Sequence, residues 1–150
     1  MTGTHESPLV QILAETQFRA DRLILEITES VLMSNSSPAL ERLNQLKGLG
    51  VRLAIDDFGT GYSSLSYLQQ LPVDIIKIDK SFIAQTALAS TIVGLAATLK
   101  LRTVAEGIEH ADQREKLVAL GCGYGQGYLF ARPSSADAIS ALLSMETTRA

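Results

Sequence analysis

Residues 51–79 read VRLAIDDFGTGYSSLSYLQQLPVDIIKID, and the fold turns on how this stretch divides. Val51 to Phe58 is a short apolar run ending in two adjacent carboxylates, Asp56 and Asp57, and has the length and composition of a strand. The following GTGYSS has the glycines and serines of a loop, and a short helix carrying Leu65 and Leu68 is predicted to run to Pro72. Val73 to Asp79, VDIIKID, is a second strand. Strand, helix, strand in this order is the unit from which parallel sheets are built.

The same alternation extends in both directions. Upstream, a helix over Pro8 to Phe18 precedes a strand at Arg22 to Glu29, RLILEITE. A helix from Pro38 to Leu49 then places Leu40, Leu43 and Leu46 on one face and stops at Gly48 or Gly50. Downstream, a long helical segment leads to a strand at Leu101 to Ile108 and to the helix ADQREKLVALG. A strand at Gly123 to Phe130 and a closing helix over SSADAISALLSM, capped by Ser134 or Ser135, complete five β-α units. Without a linker or low-complexity tract, they form one α/β domain.

Composition narrows the choices. The chain has 150 residues, 46% of them hydrophobic, enough for a sizeable core. Charged residues are 19%, below the usual ~25%, which points to surface that is buried or shared. A net charge of −3 argues against a protein that holds a nucleic acid polymer electrostatically. One cysteine excludes a disulfide framework and fits a reducing compartment, so a cytoplasmic location is expected. The opening MTGTHESP lacks the basic start and apolar core of a targeting signal. Ser81 to Leu99 is free of charge and approaches the ~20 residues of a membrane span. Its serines, threonines and Gln85 instead predict a buried or partner-facing helix, with no membrane contact. A complete (β/α)8 barrel needs roughly 250 residues, more than this chain holds.

All strands of a parallel sheet point one way, so their C-terminal ends share one face, where ligands bind. Here those ends carry Glu26 and Glu29, then Asp56 and Asp57, then Lys77 and Asp79, then Glu106 and Glu109, and finally Gln126. Strand alternation sets Ile24, Glu26 and Thr28 against Leu23, Leu25 and Ile27, and Ile75, Lys77 and Asp79 against Ile76 and Ile78. Charged residues often end strands simply by meeting solvent, yet four strands doing so together favour a shared site. Clustered carboxylates repel and usually hold cations, and oxygen ligands without Cys or His favour Mg²⁺, Mn²⁺ or Ca²⁺. Adjacent Asp56 and Asp57 suit two metals, which would activate a water and stabilise the leaving oxygen of a phosphodiester. Lys77 would orient that water or neutralise phosphate charge.

Four stretches, LEITES, AIDDFGTGYSSLSYLQQLPVDIIKIDKSF, TVAEGIE and GYGQGYLFARP, together closely resemble the EAL-domain family, bacterial phosphodiesterases of cyclic di-GMP. The resemblance runs from about Leu9 to Leu142, is strongest over residues 22–133, and makes the whole chain, 1–150, a partial EAL domain. It implies a TIM-type (β/α) barrel truncated to about five units, and metal-dependent hydrolysis of cyclic di-GMP to pGpG with Mg²⁺ or Mn²⁺. By the same resemblance Glu26, Asp56 and Asp57 are metal ligands, with Asp56 shared between the ions. Lys77 and Glu106 serve the catalytic water, in company with Asp57, while Gln126 and Glu109 belong to the substrate site. Glu29 anchors the loop after Asp57, a loop that Gly59 and Gly61 allow to turn and that the family ties to metal binding and dimer contact.

The departures from the family carry expectations too. The chain has no Glu-Ala-Leu tripeptide, and its asparagines, Asn35 and Asn44, both follow Glu26, so neither matches the ligand that precedes it in the family. The segment from Phe82 to Thr91 is shorter than usual. The expectation is a C-terminal portion of the domain with impaired turnover. The alternative is an inactive cyclic di-GMP-binding or protein-interaction module, in either case with a homo-oligomer or partner protein covering the open sheet edges. Other motifs weigh little: Asp57-Phe58-Gly59 lacks the companion loops of a kinase, and His5 and His110 lack ligand spacing. Cys122 is expected to be buried, and Tyr67 and Tyr128 to pack in the core.

Overall fold

The computed structural model describes residues 8–28, 37–59 and 68–147. Helix α1 (Pro8–Thr16) and a 3-10 turn (Ala20–Arg22) precede β1 (Ile24–Thr28). Then follow α2 (Ser37–Gly48), β2 (Arg52–Phe58), β3 (Ile75–Ile78), α3 (Lys80–Ile83), α4 (Thr86–Thr98) and β4 (Arg102–Ala105). Helix α5 (Ala111–Ala119), β5 (Tyr124–Gly125) and α6 (Ala136–Thr147) end the chain. The five strands lie in sequence order, β1-β2-β3-β4-β5, and every pairing is parallel. Each unit thus lays its strand beside the last, as along the wall of a (β/α) barrel. The expected short helix around Leu65 and the loop glycine Gly61 lie outside the described residues, as does Glu29.

One face of this sheet is the core. Leu53, Ile55, Ile76 and Ile78 are fully buried, and Leu25 and Ile27 of β1 pack against them. Each such side chain contributes about 1.5–3 kcal/mol over an exposed counterpart. Ile83, Ile92, Val93 and Leu117 close the layer from the helices, with Leu43 of α2. The charge-free segment after Lys80 explains itself here. It breaks at Gln85 into α3 and α4, and α4 buries Ala89, Ile92, Val93 and Ala96 at helical spacing. Two of its threonines settle their own hydroxyls, Thr91 on the Ala87 carbonyl and Thr98 on that of Gly94, both at 2.9 Å. Among the described residues no helix is long and apolar enough to cross a membrane.

The other face carries the site. Ile24, Glu26 and Thr28 are exposed along β1, whereas Ala54, Ile75 and Lys77 are buried on the central strands. β3 keeps Ile75–Ile78 of its expected span, and β4 and β5 are cut to half or less of theirs. β4 ends at Ala105 rather than Ile108 because Gly107 has φ +66° and an added Cβ there would lie 2.7 Å from that of Lys80. β5 keeps only Tyr124–Gly125 of the expected Gly123 to Phe130. Beyond Gly125 the chain turns onto the β4–α5 loop: Ile108 N–H donates to the Gln126 carbonyl at 3.1 Å, and Leu129 N–H to the Ile108 carbonyl at 2.9 Å. Cys122 is buried as expected, but Tyr128 is 53% exposed and forms no part of the core.

Candidate functional site

Lys77 is the centre of the mouth. It sits mid-strand on β3, its side chain only 6% exposed, and an isolated ammonium there would be costly. Three neighbours compensate. Glu26 Oε2 from β1 and Glu106 Oε1 from the end of β4 each lie 2.6 Å from Nζ, and Asp56 Oδ1 from β2 lies at 3.0 Å. Burial pushes the lysine pKa down, but hydrogen bonding to Glu106, Glu26 and Asp56 outweighs it and holds the ammonium well above its ordinary value. Lys77 is therefore a fixed cation rather than a proton donor near neutral pH.

The second feature is the Asp56-Asp57 pair. In a regular strand adjacent side chains point to opposite faces. Here the β2–β3 register shifts between Ile55 and Phe58, and Asp57 takes a left-handed backbone with φ +53°. For a non-glycine residue that conformation costs about 1–2 kcal/mol, least for Asp and Asn. It lets Asp56, Asp57 and Glu106 each bring a carboxylate oxygen within 4.8 Å of the other two. Gly59, with φ +94°, then turns the chain away beside the Phe82 ring.

Among the described residues of this cluster, carboxylates outnumber cations. Glu26, Asp56, Asp57 and Glu106 are four carboxylates, Lys77 is one ammonium, and four minus one leaves three negative charges. Asp56 Oδ1 is also shut off from solvent, and its partner among the described residues is the Lys77 ammonium at 3.0 Å. A solvent-shielded carboxylate oxygen beside two more carboxylates, all within 4.8 Å of one another, fits a hard divalent cation. Gln126 joins the group by donating from Nε2 to Glu106 Oε1 at 2.9 Å. Glu109 stands apart from Lys77, on the wall of a cleft of about 530 Å³ that also includes Lys80, Gln126, Tyr128 and Arg132. The Arg132 guanidinium lies 4.5 Å over the Tyr128 ring. So Glu26, Asp56, Asp57, Lys77, Glu106 and Gln126 converge, and Glu109 lines the adjoining cleft. Sequence reading missed Gln113, whose Oε1 accepts from the Glu109 and His110 backbone amides. The signal was available: a glutamine three residues after a helix-capping position.

A parallel β-α sheet with carboxylates gathered round a buried lysine at its C-terminal mouth matches the ligand-bearing end of a (β/α) barrel wall. The chain belongs to the EAL domain family, whose pattern matches residues 4–133. It is 48% identical over 126 residues to the bifunctional diguanylate cyclase/cyclic di-GMP phosphodiesterase MucR of Pseudomonas aeruginosa, covering 79% of this chain and 18% of that protein. The solved PaMucR phosphodiesterase in complex with c-di-GMP superimposes with a TM-score of 0.83 at 43% identity, over 87% of this chain and 56% of that one. A Klebsiella pneumoniae BlrP1 structure holding manganese and cyclic di-GMP gives 0.75 at 31%, over 86% and 36%. The chain thus spans about half of the MucR phosphodiesterase structure and under a fifth of full-length MucR.

Proposed function

We propose that this chain is the C-terminal portion of a cyclic di-GMP phosphodiesterase domain, acting on cyclic di-GMP to give pGpG. The observation that carries this reading is the charge-unbalanced cluster of Glu26, Asp56, Asp57 and Glu106 around Lys77. Asp56, Asp57 and Glu106, with Glu26, are the residues to hold Mg²⁺ or Mn²⁺. A bound divalent ion supplies Lewis-acid stabilisation of phosphate charge and activation of water. Lys77 sets the orientation of three of the carboxylates and presents fixed positive charge to the phosphate. Gln126 holds Glu106, and together with Glu109 it faces the substrate. Hydrolysis adds water across one phosphodiester: its oxygen bonds to phosphorus, one P–O bond breaks, and the leaving ribose oxygen takes a proton.

Turnover by these 150 residues is expected to be weak, because they contain no Glu-Ala-Leu tripeptide and no asparagine ahead of Glu26. The same observation supports the second reading, uptake of cyclic di-GMP without cleavage. The exposed apolar Ile24 on the β1 edge and Tyr124 on β5 fit a second copy or partner protein covering the sheet. The setting proposed is bacterial cytoplasmic signalling. The decisive assay follows conversion of cyclic di-GMP to pGpG with Mn²⁺, beside calorimetric uptake. Asp56→Asn is expected to abolish whatever turnover exists and lower metal affinity at least tenfold. A parent chain that shows no uptake and no turnover would overturn the proposal.

A further inference from the structure

Gln113, in the first turn of α5, makes two hydrogen bonds where one would serve the helix. Its Oε1 accepts from the His110 amide at 3.0 Å, the usual reach of such a side chain back to the capping residue. It also accepts from the Glu109 amide at 2.8 Å. That shorter bond lies one residue outside the cap and does nothing for the start of α5. Both lone pairs of a single amide oxygen are spent on consecutive backbone groups.

The rest of this loop is tied down as well. Glu106 N–H donates to the Ile78 carbonyl on β3 at 3.0 Å, and Ile108 N–H to the Gln126 carbonyl at 3.1 Å. Gly127 presses directly on the Ile108 backbone, leaving no room for a Cβ. Glu106 is therefore fixed from β3 and Ile108 from the β5 loop. The amide of Glu109, whose side chain is exposed on the cleft wall, depends on Gln113.

We infer that Gln113 is a positioning residue: its amide oxygen sets where Glu109 stands relative to Glu106 and Gln126, and so shapes the cleft before any ligand arrives. The inference rests on the reading that Glu109 belongs to the ligand site, so its test needs a readout independent of ligand. Amide hydrogen exchange by NMR on the full chain provides one, with calorimetry of cyclic di-GMP alongside. Gln113→Met keeps length and removes the acceptor, whereas Gln113→Glu keeps an acceptor oxygen. Methionine is expected to speed exchange at Glu109 and His110 about fivefold to tenfold, the scale of one lost hydrogen bond, while the Leu117 amide inside α5 is unchanged. Glutamate restores the parent pattern. Cyclic di-GMP affinity falls by a similar factor in the methionine variant and recovers in the glutamate one. Unchanged exchange at Glu109, or acceleration spread evenly along α5, would overturn the clamp. A loosened loop that binds cyclic di-GMP as tightly as the parent would overturn its bearing on the site. A parent chain without uptake defeats the ligand-site reading instead, and the exchange pattern still decides the clamp.

Discussion

The two ends of the sheet each pair a lysine with carboxylate, and they do opposite things with it. At the N-terminal end Lys47, in the last turn of α2, lies 2.7 Å from both oxygens of Asp74 and 3.4 Å from the Val51 carbonyl. Asp74 also accepts from Leu53 N–H at 2.8 Å. One cation meets one anion, and the spare capacity goes to the backbone. At the C-terminal mouth Lys77 meets Glu26, Asp56 and Glu106, with Asp57 close by. The first arrangement is saturated and locks β2 to β3. The second, among the described residues, holds more carboxylates than cations, an imbalance of the kind that marks candidate ligand sites.

The sharpest way to break this contrast is to remove the lysine at each end. Lys77→Met leaves three carboxylates facing one another around an apolar stem. Breaking a buried ionic group of this kind costs about 3–5 kcal/mol. Urea unfolding is the measurement, run with and without Mn²⁺. Much of the lost stability is expected to return with the metal, since a divalent cation supplies charge to the same carboxylates. A loss that the metal does not alter would contradict the cation-deficient reading of the mouth.

Asp74→Ala is the matching test at the closed end. It leaves Lys47 without its counter-ion and the Leu53 amide without its acceptor, at a cost of about 1–3 kcal/mol. The ion pair is about one-third exposed, so water recovers part of the charge, and the lower half of that range is expected. Mn²⁺ should not rescue this variant, and its uptake of cyclic di-GMP should match the parent. Rescue by metal would erase the distinction between the two ends.

Much of this organisation is legible in the sequence. Apolar runs placed β1 to β4 within a few residues, and alternation alone put Glu26 and Lys77 on the face where the structure finds them paired. What escaped has physical reasons. Alternation would send Asp56 and Asp57 to opposite faces, and it takes a register shift with a left-handed Asp57 to gather them with Glu106. A strained backbone of that kind leaves no mark in side-chain periodicity. β5 was overread because apolar content continues through Leu129 and Phe130, while the glycines that let the chain pack on Ile108 draw it off the sheet. Lys47 and Asp74 stand 27 residues apart, and their pairing follows from strand register, which composition does not reveal. Gln113 escaped for a simpler reason: its second hydrogen bond reaches a residue outside the helix it caps.

The smallest expected effect lies between the two ends, at Asp79, where β3 leaves the sheet for α3. Its side chain accepts from Ser81 N–H at 2.9 Å and caps the helix that follows Lys77 by three residues. That hydrogen bond to Ser81 holds the carboxyl below its ordinary pKa, with a smaller opposing effect of burial. A depressed carboxyl adds stability above its unfolded-state pKa and gives it up as the pH falls through the lower folded value. Asp79→Ala is expected to cost about 0.5–2 kcal/mol near neutral pH, the worth of a capping side chain, and to narrow toward the parent in acid. Urea unfolding of both chains from neutral pH down through the carboxylate range checks the sign. A gap that widened as the pH fell would mean that the protonated side chain, not the carboxylate, caps α3.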